Sequence, residues 1–326
     1  MVTIEKTMKS LLVSGALAYD ILLNYEGEFK DGLHTSPSGA LSVCFRTKNH
    51  ERRFGGIGAN IAWSLNLLGQ TSTLVASVGA DGSDYLKFLE KHGIGTSDIE
   101  TLTDVNTAMF IGAADQKQDQ LTFFSCGADA LGTWPGDRLM QKKDSFSYAI
   151  VCPRTVPLVR EALDWCKKAS IPVFFDPGQD TLAYTEEDLL ACIQGSYGVI
   201  LNEYEWGIFS DRFGLTQEKV LTMATLLIIT RAEKGLTMYM PDGVMEIAPC
   251  PPDRIGNPTG AGDGFRAGLL TGLQYGWSLR DAARLGCSLA SFVVEQDGPL
   301  VENVTIENIW KRAAAAYSEP LPDLSQ

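Results

Sequence analysis

Gly256-Asn257-Pro258-Thr259-Gly260-Ala261-Gly262-Asp263-Gly264-Phe265 is the stretch on which the reading of this 326-residue chain turns. Three small residues, Gly260, Ala261 and Gly262, precede an acid, Asp263, and Phe265, Leu269, Leu270 and Leu273 follow at helical spacing. A helix therefore starts here. Its first turn carries backbone N–H groups with no intrahelical acceptor, and the helix dipole adds partial positive charge, so small residues leave an open anion site. An acid in the same turn stands where a base is needed beside a bound phosphoryl group. The same spacing also fits a Gly-rich turn with an Asp stabilising a helix start.

Outward from that stretch, apolar runs alternate between strand and helix. Residues 11–18 read as a buried strand entering a turn at Tyr19-Asp20, and residues 59–69 as a helix ending on Gly69. Residues 73–78 read as a strand, 83–92 as a helix closed by Gly93, and 108–113 with 121–125 as a hairpin. The alternation continues through strands at 148–152, 172–176, 197–201 and 226–230, with helices near 157–168 and 186–193. A strand pair at 236–240 and 244–248 precedes a mostly helical C-terminal third, where Ser278-x-x-Asp281 starts one helix. Such β-α alternation implies a parallel sheet covered on both faces. Two β-rich segments break it. Residues 21–54, with Gly27, Gly32, Pro37, Gly39 and the alternating Leu41-Ser42-Val43-Cys44-Phe45, read as short strands and loops without a packed helix. Together with 104–127 they read as a small β lid on an α/β core of 1–20, 55–103 and 128–326.

Bulk properties narrow the function. A hydrophobic content of 45% suits a globular protein, and no apolar run approaches the roughly 20 residues of a membrane span. Residues 1–10 are too polar and short for a signal peptide, and the seven scattered cysteines contain no Cys-x-x-Cys pair. The expectation is a cytoplasmic protein with reduced thiols and no zinc site. A net charge of −13 argues against a nucleic-acid partner, which demands a basic footprint. It leaves a single anionic ligand such as ATP open. His34, His50 and His92 lie far from any matching Ser or Cys motif, which disfavours a Ser-His-Asp hydrolase.

The segment at 256–265 resembles the C-terminal signature Asp-Thr-x-Gly-Ala-Gly-Asp of the ribokinase-like (PfkB) family of sugar and nucleoside kinases. The resemblance implies a ribokinase-like α/β fold, a mainly parallel central sheet with helices on both faces and a small β-sheet lid. It also implies that Asp263 deprotonates the acceptor hydroxyl and that Gly260, Ala261 and Gly262 form the anion hole. Asn257 stands where the family usually has Asp, which often helps hold a monovalent cation, so potassium activation stays open.

Further motifs agree. Gly55-Gly56-x-x-x-Asn60 fits a turn with an Asn N-cap, and half of a dinucleotide fingerprint, although Ile61 takes the third glycine position. It also resembles the family's N-terminal signature, in which the second Gly and the Asn contact substrate hydroxyls, which makes Gly55, Gly56 and Asn60 the implied substrate-binding residues. Asp20, with Gly15, resembles the family's Gly-x-x-x-x-Asp, whose carboxylate accepts from a pair of sugar hydroxyls; an Asp after a strand is also ordinary turn chemistry. Asn202-x-x-Glu205 suits a helix start, and in the family acts through water on Mg²⁺ and on the ATP phosphates. Thr230-Arg231-Ala232-Glu233-Lys234-Gly235 resembles the family's ATP loop, commonly Thr-x-Gly-x-x-Gly, with Ala232 where Gly is usual and Arg231 as a phosphate-neutralising cation or a solvent-facing one.

Over residues 10–315 the chain is most similar, within the family, to bacterial adenosine or nucleoside kinases. The supporting pieces are Ala18-Tyr19-Asp20 with Tyr25-Glu26-Gly27, Arg53-Phe54-Gly55-Gly56, and Phe175-Asp176-Pro177-Gly178-Gln179. The implied reaction is ATP- and Mg²⁺-dependent phosphorylation of the 5′-hydroxyl of adenosine. Phe45 and Phe124 are candidates to sandwich a purine, or else pack within the lid. The basic cluster Arg46, Lys48, Arg52 and Arg53 keeps a phosphorylated sugar as an alternative acceptor. Sugar kinases of the family and a non-catalytic ligand-binding relative remain alternatives, and monomer and homodimer are both open.

Overall fold

The computed structural model describes residues 9–32, 43–117 and 119–323. Its strands are β1 (Ser10–Ser14), β2 (Ala18–Asn24), β3 (His50–Gly55), β4 (Ser72–Val78), β5 (Ile99–Thr101), β6 (Ala108–Ala114) and β7 (Gln120–Ser125). They continue as β8 (Phe146–Val151), β9 (Val173–Phe175), β10 (Gly198–Asn202), β11 (Leu226–Thr230), β12 (Leu236–Met240) and β13 (Gly243–Ile247). Nine of them form one sheet, ordered β13-β12-β11-β10-β9-β8-β1-β4-β5, parallel from β11 to β5 and closed at one edge by the antiparallel β12 and β13. The other four form a separate sheet, ordered β3-β2-β6-β7.

Continuous apolar strands are buried on both faces, and their side chains divide by parity between two cores. Leu11, Val13, Leu74, Ala76, Ile200 and Ile228 join one core, with the helices Ile57–Leu67, Ser83–Lys91, Ala261–Gln274 and Leu279–Val294. Leu12, Val75, Val199, Leu201, Leu227 and Ile229 join the other, with Val156–Lys168, Glu186–Ile193 and Glu203–Phe213. The doubly covered sheet is thus as the alternation requires.

The differences lie in the small sheet. The expected turn at Tyr19-Asp20 is strand β2, because β1 ends at Ser14 and the chain re-enters a ladder at Ala18, bonded to β3 on one side and to β6 on the other. Residues 21–54 contain a one-turn helix, Phe29–Gly32, anchored by the buried Phe29. Leu41 and Ser42, with His34, Pro37 and Gly39, lie outside the described residues, and 43–47 form no strand. Asn60 is not an N-cap. Gly56, with φ 94°, caps the helix Ile57–Leu67, and Asn60 lies inside it, buried. Ser278 does cap its helix, accepting from the Asp281 amide at 3.1 Å.

Among the described residues no helix is long and apolar enough to cross a membrane. All seven cysteines are free thiols.

Candidate active site

The C-terminal ends of the parallel strands converge on one edge, where β1 runs into Gly15, β8 into Cys152, β9 into Asp176, β10 into Asn202 and β11 into Thr230. In open α/β sheets this edge is where loops and helix N-termini form a ligand crevice. The helix Ala261–Gln274 starts there. Its N-cap, Gly260, has φ 84°, and a side chain at this position would run into Pro299. The left-handed cap turns the chain so that the first-turn amides face outward.

Those amides are not equivalent. Ala261 N–H donates to Pro258 O at 3.1 Å and Gly264 N–H to Gly260 O at 2.9 Å. Among the described residues, the amides of Gly260, Gly262 and Asp263 have no backbone acceptor. Of the expected trio, Ala261 therefore contributes its small side chain but not a free donor; the Asp263 amide takes that part. Asn257 Oδ1 accepts from Thr259 N–H at 2.9 Å, which leaves the Asn257 amide NH₂ as its outward end.

Asp263 is 9% exposed, and Asn60 Nδ2 donates to its Oδ2 at 2.8 Å. Burial pushes the carboxyl up to about 6, against the opposing effects of Arg266 and of the Asn60 hydrogen bond. It is thus ionised near neutrality and more basic than an ordinary Asp. The Oδ1 of Asn60 is buried without a partner, an acceptor free to receive a hydroxyl proton.

Asp20 lies on β2 opposite Arg53 of β3 and Phe110 of β6. Burial raises its carboxyl to about 6, with Arg53 working the other way. Gly55 is required by this carboxylate: a Cβ at 55 would collide with the Asp20 side chain. The adjacent Gly56 starts the Asn60 helix, so one Gly-Gly pair sets both polar groups.

Asn202 and Glu205 make a reciprocal capping box. Asn202 Oδ1 accepts from Glu205 N–H at 2.8 Å, and Glu205 Oε2 accepts from Asn202 N–H at 2.7 Å. This role is structural, yet Glu205 is 3% exposed, and burial and then Asp176 raise its carboxyl. The described residues contain no group of three or more His, Cys, Asp or Glu able to hold a metal. One carboxylate with free Oε1 suits a hydrated Mg²⁺ whose other ligands are water and phosphate oxygens.

Thr230 Oγ1 donates to Leu201 O at 3.4 Å, tying the ends of β10 and β11 together. Gly235, at φ 85°, closes the next turn, and Ala232 adopts φ 47°, the left-handed region that glycine favours. The backbone shape that a glycine serves is thus kept with alanine. Arg231 does not stand free to neutralise phosphate: its guanidinium bonds Thr237 Oγ1 and reaches Glu246 at 3.3 Å, on the antiparallel edge strands.

Phe45 packs within an aromatic cluster, its ring 5.0 Å from Tyr25 and 4.9 Å from Phe29. Phe124 differs. Register places Arg53, Asp20, Phe110 and Phe124 in one row across β3-β2-β6-β7, on the same face as Asp20. Phe124 is 54% exposed. The basic cluster is largely engaged: Lys48 pairs with Glu26 at 2.8 Å, Arg53 with Glu51 at 2.6 Å, and Arg52 covers the Tyr19 ring at 3.8 Å.

Asp176, Arg266 and Phe110 were not singled out by the sequence as site residues. Asp176 is completely buried and forms an ion pair with Arg266 Nε at 2.5 Å. Although burial opposes it, the carboxylates of Asp176, Asp263 and Glu205 hold the Arg266 guanidinium more firmly protonated than usual. A charged residue one turn after Asp263, in a helix otherwise apolar on that side, is the signal for Arg266.

A pfkB family carbohydrate kinase model matches residues 8–305. The chain belongs to the pfkB family. It is 29% identical over 309 residues to a nucleoside kinase of Methanocaldococcus jannaschii, spanning 94% of this chain and 97% of that protein. It is 30% identical over 300 residues to a nucleoside kinase of Thermoplasma acidophilum, covering 92% and 93% of the two chains. The structure of a Burkholderia thailandensis nucleoside kinase in complex with inosine superposes with a TM-score of 0.82 at 28% identity, over 95% of this chain and all of that one. The same protein in an ADP-inosine complex also gives 0.82, at 27% identity, over 97% of this chain and 99% of that one. This pfkB protein has the ribokinase-like α/β fold and is a phosphotransferase acting on a hydroxyl acceptor.

Proposed function

We propose that this chain is an ATP-dependent nucleoside kinase that phosphorylates the 5′-hydroxyl of a purine nucleoside, adenosine first among the candidates, with Asp263 as the base. The observation that carries the reading is the Asn60–Asp263 pair at 2.8 Å, set beside the free amides of Gly262 and Asp263. It brings a hydroxyl-binding amide from the helix Ile57–Leu67 against a general base and an anion site in the first turn of the helix Ala261–Gln274. The unpartnered Oδ1 of Asn60 and the ionisable Asp20 carboxylate supply acceptors for a ribose diol. Phe110 and Phe124, in register with Asp20, offer an aromatic surface for a base. The nucleoside kinases among the relatives, one solved with inosine, support a nucleoside over a free sugar.

Asp20 and Asn60 hold the diol so that the remaining hydroxyl points at Asp263. Asp263 takes the hydroxyl proton as the oxygen approaches the γ-phosphorus, and the amides of Gly260, Gly262 and Asp263 face the charge that develops. Mg²⁺, reached through water by Glu205 and Asn202, would neutralise phosphate charge when bound. Thr230 and Gly235 frame the nucleotide side of the crevice. Movement of the small sheet over the site would exclude water as a competing acceptor.

Measuring ADP formation with adenosine, inosine, guanosine, ribose, fructose and fructose 6-phosphate tests this reading. Turnover confined to nucleosides supports it. Turnover with free or phosphorylated sugars alone makes the chain a sugar kinase, and binding without turnover across the panel makes it a ligand-binding relative.

A further inference from the structure

Arg266 is buried, 7% exposed, and its environment is asymmetric. Its Nε lies 2.5 Å from Asp176 Oδ2, but neither atom makes an aligned hydrogen bond. The contact is a charge pairing and does not orient the guanidinium plane. No hydrogen bond ties its terminal nitrogens to any described residue. One of them, Nη1, lies 2.6 Å from where a Cβ would sit on Gly262. Gly262 is exposed and has a free amide. A side chain at 262 would displace the guanidinium, so the glycine leaves room for Arg266 Nη1 beside the first helix turn.

The charge balance points the same way. Asp176, Asp263 and Glu205 act on a single interior guanidinium, Arg266. Of the two cations in the 230–235 loop, Arg231 is committed to Thr237 and Glu246, and Lys234 is exposed. A dianionic γ-phosphoryl group arriving among these carboxylates needs a cation, and Arg266 Nη1 lies beside Gly262 in the first turn of the helix.

The geometry points to Arg266 as a phosphate-contacting catalytic residue, whose terminal nitrogens bind the equatorial oxygens of the γ-phosphoryl group during transfer, with Asp176 holding the guanidinium from behind. This rests on the kinase reading above. As the acceptor oxygen bonds to the γ-phosphorus, its proton passes to Asp263. The bond from phosphorus to the β,γ-bridging oxygen breaks, and ADP leaves with that electron pair. Negative charge on the transferred group is then shared between the helix amides and a planar two-nitrogen fork.

The test compares wild type with Arg266→Gln, Arg266→Lys, Asp176→Asn and the double variant Asp176→Asn/Arg266→Gln. The readouts are kcat, nucleoside affinity in the absence of ATP, and binding of aluminium fluoride in the presence of ADP, Mg²⁺ and nucleoside. Arg266→Gln is expected to lower kcat by roughly 10²–10³. It should abolish aluminium fluoride binding and leave nucleoside affinity within about threefold. Arg266→Lys, which keeps the charge and loses the fork, falls in between. The double variant removes the ion pair as a unit, so it regains thermal stability but not turnover. Wild-type kcat in Arg266→Gln, or restored turnover in the double variant, would make Arg266 only the counter-ion of Asp176 and overturn the inference. A wild-type protein that phosphorylates nothing in the panel overturns the kinase reading itself, which is a separate outcome.

Discussion

Asn60 Nδ2 donates to Asp263 Oδ2 at 2.8 Å, although the two residues stand 203 positions apart in the chain. The bond joins the helix that follows the Gly55-Gly56 pair to the helix that Gly260 caps. It fixes the direction of the carboxylate and leaves its other oxygen without a hydrogen bond to any described residue.

Asp263→Asn keeps this bond, because an amide oxygen can accept from Asn60. Turnover should fall by on the order of 10²–10⁴ with the fold intact. Stability should rise. Burial lifts the folded-state carboxyl to about 6 from an ordinary 3.8, so the folded protein binds the proton more tightly and loses stability as pH rises through that window. Removing the charge returns about 1–3 kcal/mol at pH 7. Thermal melts beside kcat measurements check both halves, and a variant as active as wild type removes Asp263 from the base role.

The pH dependence of kcat/KM follows from three carboxyls. Asp263 and Asp20 are raised to about 6 and Glu205 to about 7, chiefly by burial, and the proposed mechanism uses all three as anions. Activity should fall on acidification through the pH range 7 to 6 with a limiting slope steeper than one proton. Asp20→Asn should reduce that slope by one proton. A profile that stays flat down to pH 5 contradicts the assignment.

Gly55→Ala places a methyl group against the Asp20 carboxylate. Gly55 does not need a left-handed backbone, so the variant should fold. Displacing Asp20 should cost roughly 10–100-fold in kcat/KM, mostly through the nucleoside KM, with the ATP KM unchanged. Steady-state kinetics with each substrate varied in turn separates the two.

Ala232→Gly should stabilise the protein by about 1 kcal/mol. Ala232 sits at φ 47°, where an L side chain crowds the backbone and glycine does not. Urea denaturation measures the gain; no gain would mean that the strain is relieved elsewhere in the loop.

Phe45 and Phe124 should respond differently to alanine. Phe124→Ala removes an exposed ring from the Asp20 face and should raise the nucleoside KM roughly tenfold, with stability unchanged. Phe45→Ala opens the Tyr25-Phe29-Phe45 cluster and should cost about 1–3 kcal/mol of stability, with little change in KM. Equal KM effects from both would place the base elsewhere.

Much of this was legible in the chain. Strands such as Leu226–Thr230 and the helix Glu186–Ile193 follow from apolar period alone, and the two-sided core follows from uninterrupted apolar strands. The strand at Tyr19-Asp20 is hidden in the sequence because a strand that opens a second sheet directly after the first looks locally like a turn. Asn60 suited an N-cap because Asn is apt for one, and only the packing of two distant helices gives its amide another use. No local pattern reveals that Arg231 reaches Glu246 or that Phe45 packs on Tyr25.

By itself the sequence determined the α/β layering and the small-residue helix start, with its acid, at 260–263. Both depend on short-range properties: side-chain periodicity, the missing Cβ of glycine, and the free amides of a helix start. The tertiary structure alone decided which polar groups meet. Asn60 with Asp263, Arg266 with Asp176, and Asp20 in a row with Phe110 and Phe124 all depend on sheet register and helix packing. Those contacts join residues far apart in the chain, where no local propensity selects the partner and only the closing of the core fixes the distance.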